Sequence, residues 1–578
     1  MNYIADSNGN PIEKTYRFTT IAELTTIIDK SKPLMVDTET IGLYGKIRLF
    51  QCYQRGWETA LFVEYPQPFD LVALLSGLLC VFHNSHYDIT CVQEGLGKQV
   101  WMPNEFHDTF LLARLHFYQE EKFSLDDVVK YCLGFDVYNG TKKDMHEADW
   151  SVPVLPEENL IYAAKDVIYL HDVWDKVEYR RDDISYKLDM LCTRYCLDFQ
   201  NNGMPIDIQK LNERYAKNCL EIKEIGLPIN SNSYVQVRKY IDSVMSDDIG
   251  LSTLAAQGNT KAKAVKDTRK LVKNNSFLTK FTNTMAEMGN GFGVIYGKFK
   301  CSPRSGRTAS DDQNLQQIPR SLKTIFGVAV DGDEVIIYSD FAQIQLRGVC
   351  VVTGDRVMEK LFRQGRDLHT YVAEMIFGPN YTKEHRQITK TANFGLLFGA
   401  GVIVFINILV KQAGLLLSED AANTIKKKWI GLWKQIDEWQ SNGIKSWKKG
   451  EAWETPLGRR YRARMMTDQL AMQIQGFEAE VAKIAMHYMW PELKALHPDI
   501  KLRNFMHDSY LFTCPNNPEI YKAACQVVAD KMQEAWREMC KSVLITDLPM
   551  PVKVRVGWNW GDMEGDDEAG WIYELKVA

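Results

Sequence analysis

Two sets of carboxylates stand out by type and spacing. In the N-terminal third, Asp37-Thr-Glu39 closes an apolar strand, and residues two apart on a strand face one side, so both acids address one site. Asn84-Ser-His-Tyr-Asp88 follows a second apolar strand. Tyr162-Ala-Ala-Lys-Asp166 lies on a helix, where Tyr162 and Asp166 sit one turn apart on a shared face. Asp37, Glu39, Asp88 and Asp166 brought together repel one another unless cations neutralise them. Mg²⁺ or Mn²⁺, hard ions that prefer oxygen ligands, suit such a cluster. Two of them can activate a water and stabilise the leaving oxygen of a phosphodiester, with Tyr162 orienting the water.

The second set is farther along. Asp340 ends the strand Val335-Ile-Ile-Tyr-Ser339, and Asp508 sits in a tight apolar hairpin from Phe505 to Leu511. Two aspartates at strand ends can meet across a sheet, which is the least that a two-metal site joining a nucleotide to a chain end requires. Between them, a helix from His385 to Gly399 sets Arg386, Lys390, Phe394 and Phe398 at spacing four. Two cations followed by two aromatics suit a triphosphate and the base or sugar beside it. An ordinary amphipathic helix with a charged N-terminal end has the same spacing.

These residues need elements to position them. Residues 1 to about 182 alternate strands (Pro33–Val36, Cys80–His83) with a helical pattern from Glu158 to Val177, which implies an α/β unit with a mixed sheet. From about 183 to 300 the pattern is polar and helical. Strands are expected at Glu334–Tyr338, Asn504–His507 and Ser509–Phe512, separated by a long helical region from about 355 to 490. The tail after Trp560 is acidic and then apolar, and is expected to dock.

The bulk numbers agree with a soluble multidomain chain of 578 residues, 45% hydrophobic and 25% charged. A net charge of −5 does not exclude nucleic acid, because acidic metal sites and a basic groove cancel in the sum. The 12 cysteines form no CxxC pair; Cys192 and Cys196 come closest, without a histidine to complete a zinc site. Reduced, mostly buried thiols in a cytoplasmic protein are expected. The N-terminus lacks an apolar signal core, and the apolar run from Phe394 to Val410 is short and interrupted by glycine, so no membrane partner is expected.

The first set resembles the three motifs of DEDD exonucleases, in the variant with tyrosine before the last Asp, over about residues 30 to 180. Asp108 fits the following segment as a structural residue. The rest resembles family A (PolI-like) DNA polymerases, in order, from about 200 to 562. Asp340-Phe-Ala-Gln-Ile-Gln-Leu-Arg347 is similar to motif A, the 385–399 helix to motif B, and His507-Asp508 to motif C. Ser305–Ser310 and Gln313–Pro319 resemble the segment that grips primer-template, Asp367-Leu-His369 a fingers element near the phosphates, Gln475-Gly476 a template-side helix, and Val556–Trp560 the C-terminal strand and turn. Gly203–Asp207 and Asn230–Ser233 match the start of the thumb.

The resemblance implies an RNase H-like exonuclease domain (1–182) followed by a right-hand polymerase domain (183–578). The thumb would lie at about 190–300, the palm at about 301–355 and 452–578, and the fingers at about 356–451. It implies template-directed synthesis from dNTPs on primed DNA with 3′→5′ proofreading, by a single chain acting as a monomer. Asp340 and Asp508 would hold two Mg²⁺, as would Asp37, Glu39, Asp88 and Asp166. Arg386, Lys390 and His369 would address the triphosphate, with Lys390 donating a proton to pyrophosphate and Phe394 stacking on the nucleotide. Arg307, Asn314, Gln475 and His507 would touch the duplex near the primer end. Between Lys261 and Lys273 lie six Lys or Arg, and Lys263, Lys266, Arg269 and Lys270 are candidates to grip backbone phosphates. Arg459, Arg460, Arg462 and Arg464 form a second basic candidate.

Several positions depart from the family. Gln345 stands where Glu is usual, Phe398 where Tyr is usual, and Ser509 where a Glu follows His-Asp; Thr467 and Ala471 stand where Arg and Asn are common. Gln345 and Phe398 are read as a matched pair, since a carboxylate at 345 would lack the Tyr hydroxyl as donor. No 5′-nuclease domain and no large thumb insertion are visible, a layout that resembles bacteriophage polymerases. The alternative is an exonuclease whose polymerase half binds primer-template without synthesis. A phage-type RNA polymerase fits less well, because it usually has Gly at position 345 and lacks an exonuclease.

Overall fold

The computed structural model describes residues 4–5, 11–12, 15–138, 148–564 and 571–577. They fall into two compact units.

The first unit runs to Asn202 and includes Lys298–Ser310 and Leu457–Arg462. Its strands are β1 (Tyr16–Phe18), β2 (Leu34–Ile41), β3 (Lys46–Tyr53), β4 (Ala60–Glu64), β5 (Leu79–Phe82) and β6 (Glu105–Asp108). They form one sheet in the order β1-β4-β3-β2-β5-β6. The β2-β3 and β3-β4 pairs are antiparallel, while β5 runs parallel to β2 and β6 parallel to β5. The central strand is anchored by Leu34, Met35 and Val36, all buried. It does not stop at Asp37, as the apolar pattern alone suggests. Pairing with β3 carries it on to Ile41, so Asp37 and Glu39 lie within the sheet, opposite Gln51 and Leu49.

Helix α1 (Ser85–Gly95) starts from Asn84, whose φ of 73° is a left-handed value that Asn tolerates better than most residues. Asp108 fixes this turn: its carboxylate accepts from the backbone N–H of Asn84 and Ser85, both at 2.9 Å, and also caps the next helix through Phe110 N–H. Asp108 therefore has a structural part in this turn. Helix α2 (Glu157–Val177) carries Tyr162 and Asp166.

The unit passes the expected boundary at 182, because α3 (Ile184–Phe199) belongs to it. Within α3, Asp189 accepts two hydrogen bonds from Arg459 Nη2, each 2.7 Å, and both side chains are buried. Arg459 is thus a structural ion-pair partner rather than a phosphate contact, a correction to its place in the basic cluster. Cys301 joins Cys192 and Cys196, their sulfurs all within 4.8 Å and buried, a juxtaposition that sequence spacing did not reveal.

The second unit comprises Gly203–Gly297, Asp311–Pro456 and Ala463–Ala578. After a short strand (Met204–Asp207), its first part includes helices α4 (Ile208–Ile225), α5 (Asp248–Ala256) and α6 (Thr260–Thr284). Its sheet holds β7 (Glu334–Phe341), β8 (Lys501–Met506), β9 (Ser509–Pro515), β10 (Val552–Gly557) and β11 (Trp571–Val577), in the order β8-β9-β7-β10-β11, all antiparallel. The apolar end of the tail is docked as β11, with Val552 opposite Val577; residues 565–570 lie outside the described ones. Between β7 and β8 come α7 (Ile344–Thr353), α8 (Leu368–Phe377), α9 (Lys383–Gly395), α10 (Glu419–Leu432), α11 (Lys434–Lys448) and the long α12 (Met466–Leu496). No described helix is long and apolar enough to cross a membrane.

Breaking a buried ion pair at one partner costs up to about 3–5 kcal/mol. Arg459→Ala should therefore lower the unfolding midpoint of the first unit, whereas Arg462→Ala, at an exposed position of the same unit, should leave it within error. Thermal unfolding of both variants checks this.

Candidate active sites

In the first unit, Asp37, Glu39 and Asp166 bring carboxylate oxygens within 4.8 Å of one another. Asp88, on α1, is tied to the same strand by a 2.8 Å hydrogen bond donated by Thr38. Burial, and then the charges of Asp88, Glu39 and Asp166, hold the Asp37 carboxyl well above its ordinary range. Glu39 is raised likewise by burial and then by Asp166 and Asp88. Burial pushes Asp88 up to about 7, against the hydrogen bond from Thr38. Such a set is unfavourable as free anions, and its all-oxygen donors fit a hard divalent cation.

The neighbours are as informative as the acids. Gln51, fully buried on β3, donates through Nε2 to Asp37. Tyr138 donates to Asp166 Oδ1 at 2.7 Å, and its ring lies 5.8 Å from that of Tyr162. Burial and then Asp166 raise the Tyr162 phenol, so it stays a neutral donor. Thr38, Gln51 and Tyr138 escaped the sequence analysis. A glutamine within the apolar run Arg48-Leu-Phe-Gln51-Cys was the available signal for one of them.

In the second unit, Asp340 stands directly opposite Ser509 in the β7-β9 register, one residue from Asp508. Phe341 N–H donates to the Asp508 carbonyl at 3.3 Å, so the hairpin is locked against β7. His507 turns that hairpin with a φ of 57°. Burial raises the Asp340 carboxyl, against the favourable charges of Arg555 and Lys553. Ser509 donates back to Met506 O at 3.1 Å.

The cation-aromatic stripe needs one correction. Arg386, Lys390 and Phe394 share α9, but the α-helix ends at Gly395, and Phe398 sits in a 3₁₀ turn that follows. Gln440 Nε2 holds that turn by donating to the carbonyls of Leu396 and Leu397, both at 2.7 Å. Arg386 pairs with Asp367 at 3.2 Å. His369 belongs to a fixed chain of donors. Trp429 N–H donates to Asn393 Oδ1 at 2.7 Å, which forces Asn393 Nδ2 toward His369 Nδ1, 2.8 Å away. Nδ1 then accepts, so Nε2 carries the proton. Burial lowers the His369 pKa to about 4, so the ring is neutral near pH 7. Gln345 Nε2 donates to Glu478 Oε2 at 3.1 Å, so the polar partner the structure gives Gln345 is an acid on α12.

The remaining candidates separate into groups. The loop bearing Asn314 is tied to the Asp508 hairpin, because Gln316 Nε2 donates to Phe505 O at 2.7 Å and Asn504 Nδ2 to Leu315 O at 2.9 Å. Gln475 lies half-buried on α12, one turn before Glu478. Arg307 belongs to the first unit. On α6, Lys263 and Lys270 are exposed, and Lys266 is half-buried. Arg269 is a correction: its guanidinium turns inward and donates to Ser231 O (2.6 Å) and Ser246 O (2.9 Å), which commits it to holding two loops.

Comparison with known proteins matches residues 224–562 to the family model "DNA polymerase family A" and residues 16–182 to "3'-5' exonuclease". The chain belongs to the family A DNA polymerases. It combines a polymerase domain with a 3′-5′ exonuclease domain. "DNA polymerase I" of Aquifex aeolicus is 26% identical over 92% of this chain and 96% of its own length. "DNA polymerase I, thermostable" of Thermus filiformis is 25% identical over 63% of this chain, which covers 45% of that protein. The fold of this family A polymerase is that of the solved "POL domain of Pol1 from M. smegmatis complex with DNA primer-template and dNTP" (TM-score 0.74, 19% identity, 95% of this chain and 100% of that one). The exonuclease-plus-polymerase layout is thus shared with a bacterial relative.

The carboxylate cluster of the first unit also sets a pH dependence. Asp88 has a folded pKa raised to about 7 from 3.8, so its ionisation opposes folding. In chelator, stability from this group is intact below about pH 4 and declines as pH rises toward about 7. Asp88→Asn keeps an acceptor for Thr38 without the charge. Its melting temperature in chelator should exceed that of the unaltered protein by a margin that grows between these pH values. A margin that shrinks with rising pH would contradict the assignment.

Proposed function

We propose that this polymerase copies primed DNA from dNTPs and proofreads with its exonuclease, using Mg²⁺ at both carboxylate sites. The observation that carries the reading is the presence of a separate acidic site in each unit. One gathers Asp37, Glu39 and Asp166 with Asp88 tied to them; the other sets Asp340 against the Asp508 hairpin. Two divalent cations at each site would supply an activated nucleophile and a stabilised leaving oxygen.

The chain's own residues do the rest. In the exonuclease, which we read as the tyrosine-bearing DEDD type, Tyr162 holds the attacking water with its neutral hydroxyl. Thr38, Gln51 and Tyr138 hold the acids against their mutual repulsion. In the polymerase, Asp340 and Asp508 fix the reacting ends. Arg386 exchanges Asp367 for the triphosphate, and Lys390 pairs with it and gives a proton to the departing pyrophosphate. Phe394, exposed on α9, stacks on the incoming nucleotide. His369 offers an uncharged N–H, and Gln345 with Phe398 borders the sugar. Asn314, Gln475, His507 and Arg307 contact the duplex, while Lys263, Lys266 and Lys270 meet its phosphates without reading sequence. The protein acts as a monomer in the cytoplasm. Kinship with bacteriophage enzymes rests on layout alone.

The two sites should separate by mutation. Asp37→Ala with Glu39→Ala should abolish removal of single-stranded and mispaired 3′ ends and leave primer extension intact. Asp340→Ala or Asp508→Ala should do the reverse. Ser509→Ala should cost little, since its hydroxyl is engaged with Met506 O. One primer-extension gel, with and without dNTPs, reads all four. Loss of both activities in either set would contradict two independent sites.

A further inference from the structure

We propose that Glu478 is a positioning residue for sugar selection, and that it is the reason position 345 carries an uncharged glutamine. The inference rests on the reading that Gln345 borders the sugar of the incoming nucleotide.

The contact arises from how two helices meet. A Cβ at Gly348 would lie 3.3 Å from Phe477 Cδ1 and 3.5 Å from Ile474 Cγ2, so glycine allows α7 to approach α12 closely at this level. Gln345 is one turn before Gly348 on α7, and Glu478 follows Phe477 on α12. That approach brings the Gln345 amide within 3.1 Å of Glu478 Oε2. Glu478 is only 1% exposed, so its carboxylate needs hydrogen-bond donors from the protein. Gln345 supplies one through Nε2. The bond fixes the amide: with Nε2 turned to Glu478, Oε1 must point the other way.

The start of α7 is rigid enough for this to matter. Gln343 turns the chain with a φ of 55° just before the helix. Arg347 braces that turn by donating to Ala342 O (3.0 Å) and Pro549 O (2.7 Å). Gln345 thus follows the β7 aspartate by five residues in the chain and is hydrogen-bonded to a buried acid. A glutamate at 345 would face Glu478 across a distance at which two carboxylates cannot both ionise, so one must take up a proton or swing away. On this account the neutral side chain answers the acid behind it. The missing hydroxyl at Phe398 is a separate matter.

The two causes predict different rescues. Single-nucleotide incorporation is measured with the full chain on a primer whose last linkage is a phosphorothioate, to resist trimming. Each dNTP is compared with the matching rNTP. Gln345→Glu alone should lower kcat/KM for dNTPs by about tenfold or more, equivalent to about 1.4 kcal/mol. Adding Glu478→Gln should recover most of that loss, while adding Phe398→Tyr should not. Glu478→Ala alone frees the Gln345 amide and should reduce the preference for dNTP over rNTP several-fold, mainly through KM. This second variant keeps the idea testable where Gln345→Glu fails to fold. Trimming of single-stranded 3′ ends by the same preparations serves as the folding control. Rescue by Phe398→Tyr instead of Glu478→Gln, additive effects in both pairs, or unchanged selectivity in Glu478→Ala would each overturn the inference. An unaltered chain that trims but extends no primer would sink the proposed function instead.

Discussion

Acidic groups held close together are what the first unit is built around. Asp37, Glu39 and Asp166 bring oxygens within 4.8 Å, and burial ranks as the largest cause raising Asp37 and Glu39. Left to themselves, such groups separate or take up protons. The sheet prevents separation by placing two of them within its central strand. It sets Gln51 opposite Asp37 as a donor, and Thr38 and Tyr138 tie down the acids that come from helices. The palm-like sheet of the second unit solves a milder version of the problem. There the favourable charges of Arg555 and Lys553 offset part of the burial of Asp340.

Around the second site the same economy of fixed partners recurs. Trp429 can only donate, so it settles the orientation of Asn393, which settles the tautomer of His369. Arg386 waits on Asp367, a carboxylate that burial would raise but that hydrogen bonds from Thr370 and the charge of Arg386 hold below its ordinary range. On the proposed function a triphosphate competes with that pair, so Arg386 on α9 is preset by Asp367. Groups with settled partners lose little conformational freedom when substrate arrives, which is how preorganised sites gain their effect.

Much of this was legible in the sequence, for a physical reason. Acids two apart on a strand, a tyrosine and an acid one turn apart on a helix, and cations at spacing four follow local periodicity, which a sequence displays directly. What periodicity does not carry was missed. The partnership of Gln51 with Asp37 depends on strand register, and that of Gln345 with Glu478 on the approach of two helices far apart in sequence. The inward turns of Arg269 and Arg459 depend on which carbonyls and carboxylates lie within reach, so their charge alone misled. Phe398 fell out of the α9 stripe because the helix tightens after Gly395.

The central claim is that mutual repulsion among the clustered acids of the first unit favours protons that a divalent cation would displace. Calorimetric titration of the metal-free protein with Mn²⁺ near pH 6.5, repeated in buffers of different ionisation enthalpy, counts protons released per ion bound. The account predicts net release, lost in the Asp37→Ala, Glu39→Ala variant. Binding with no proton release would contradict it.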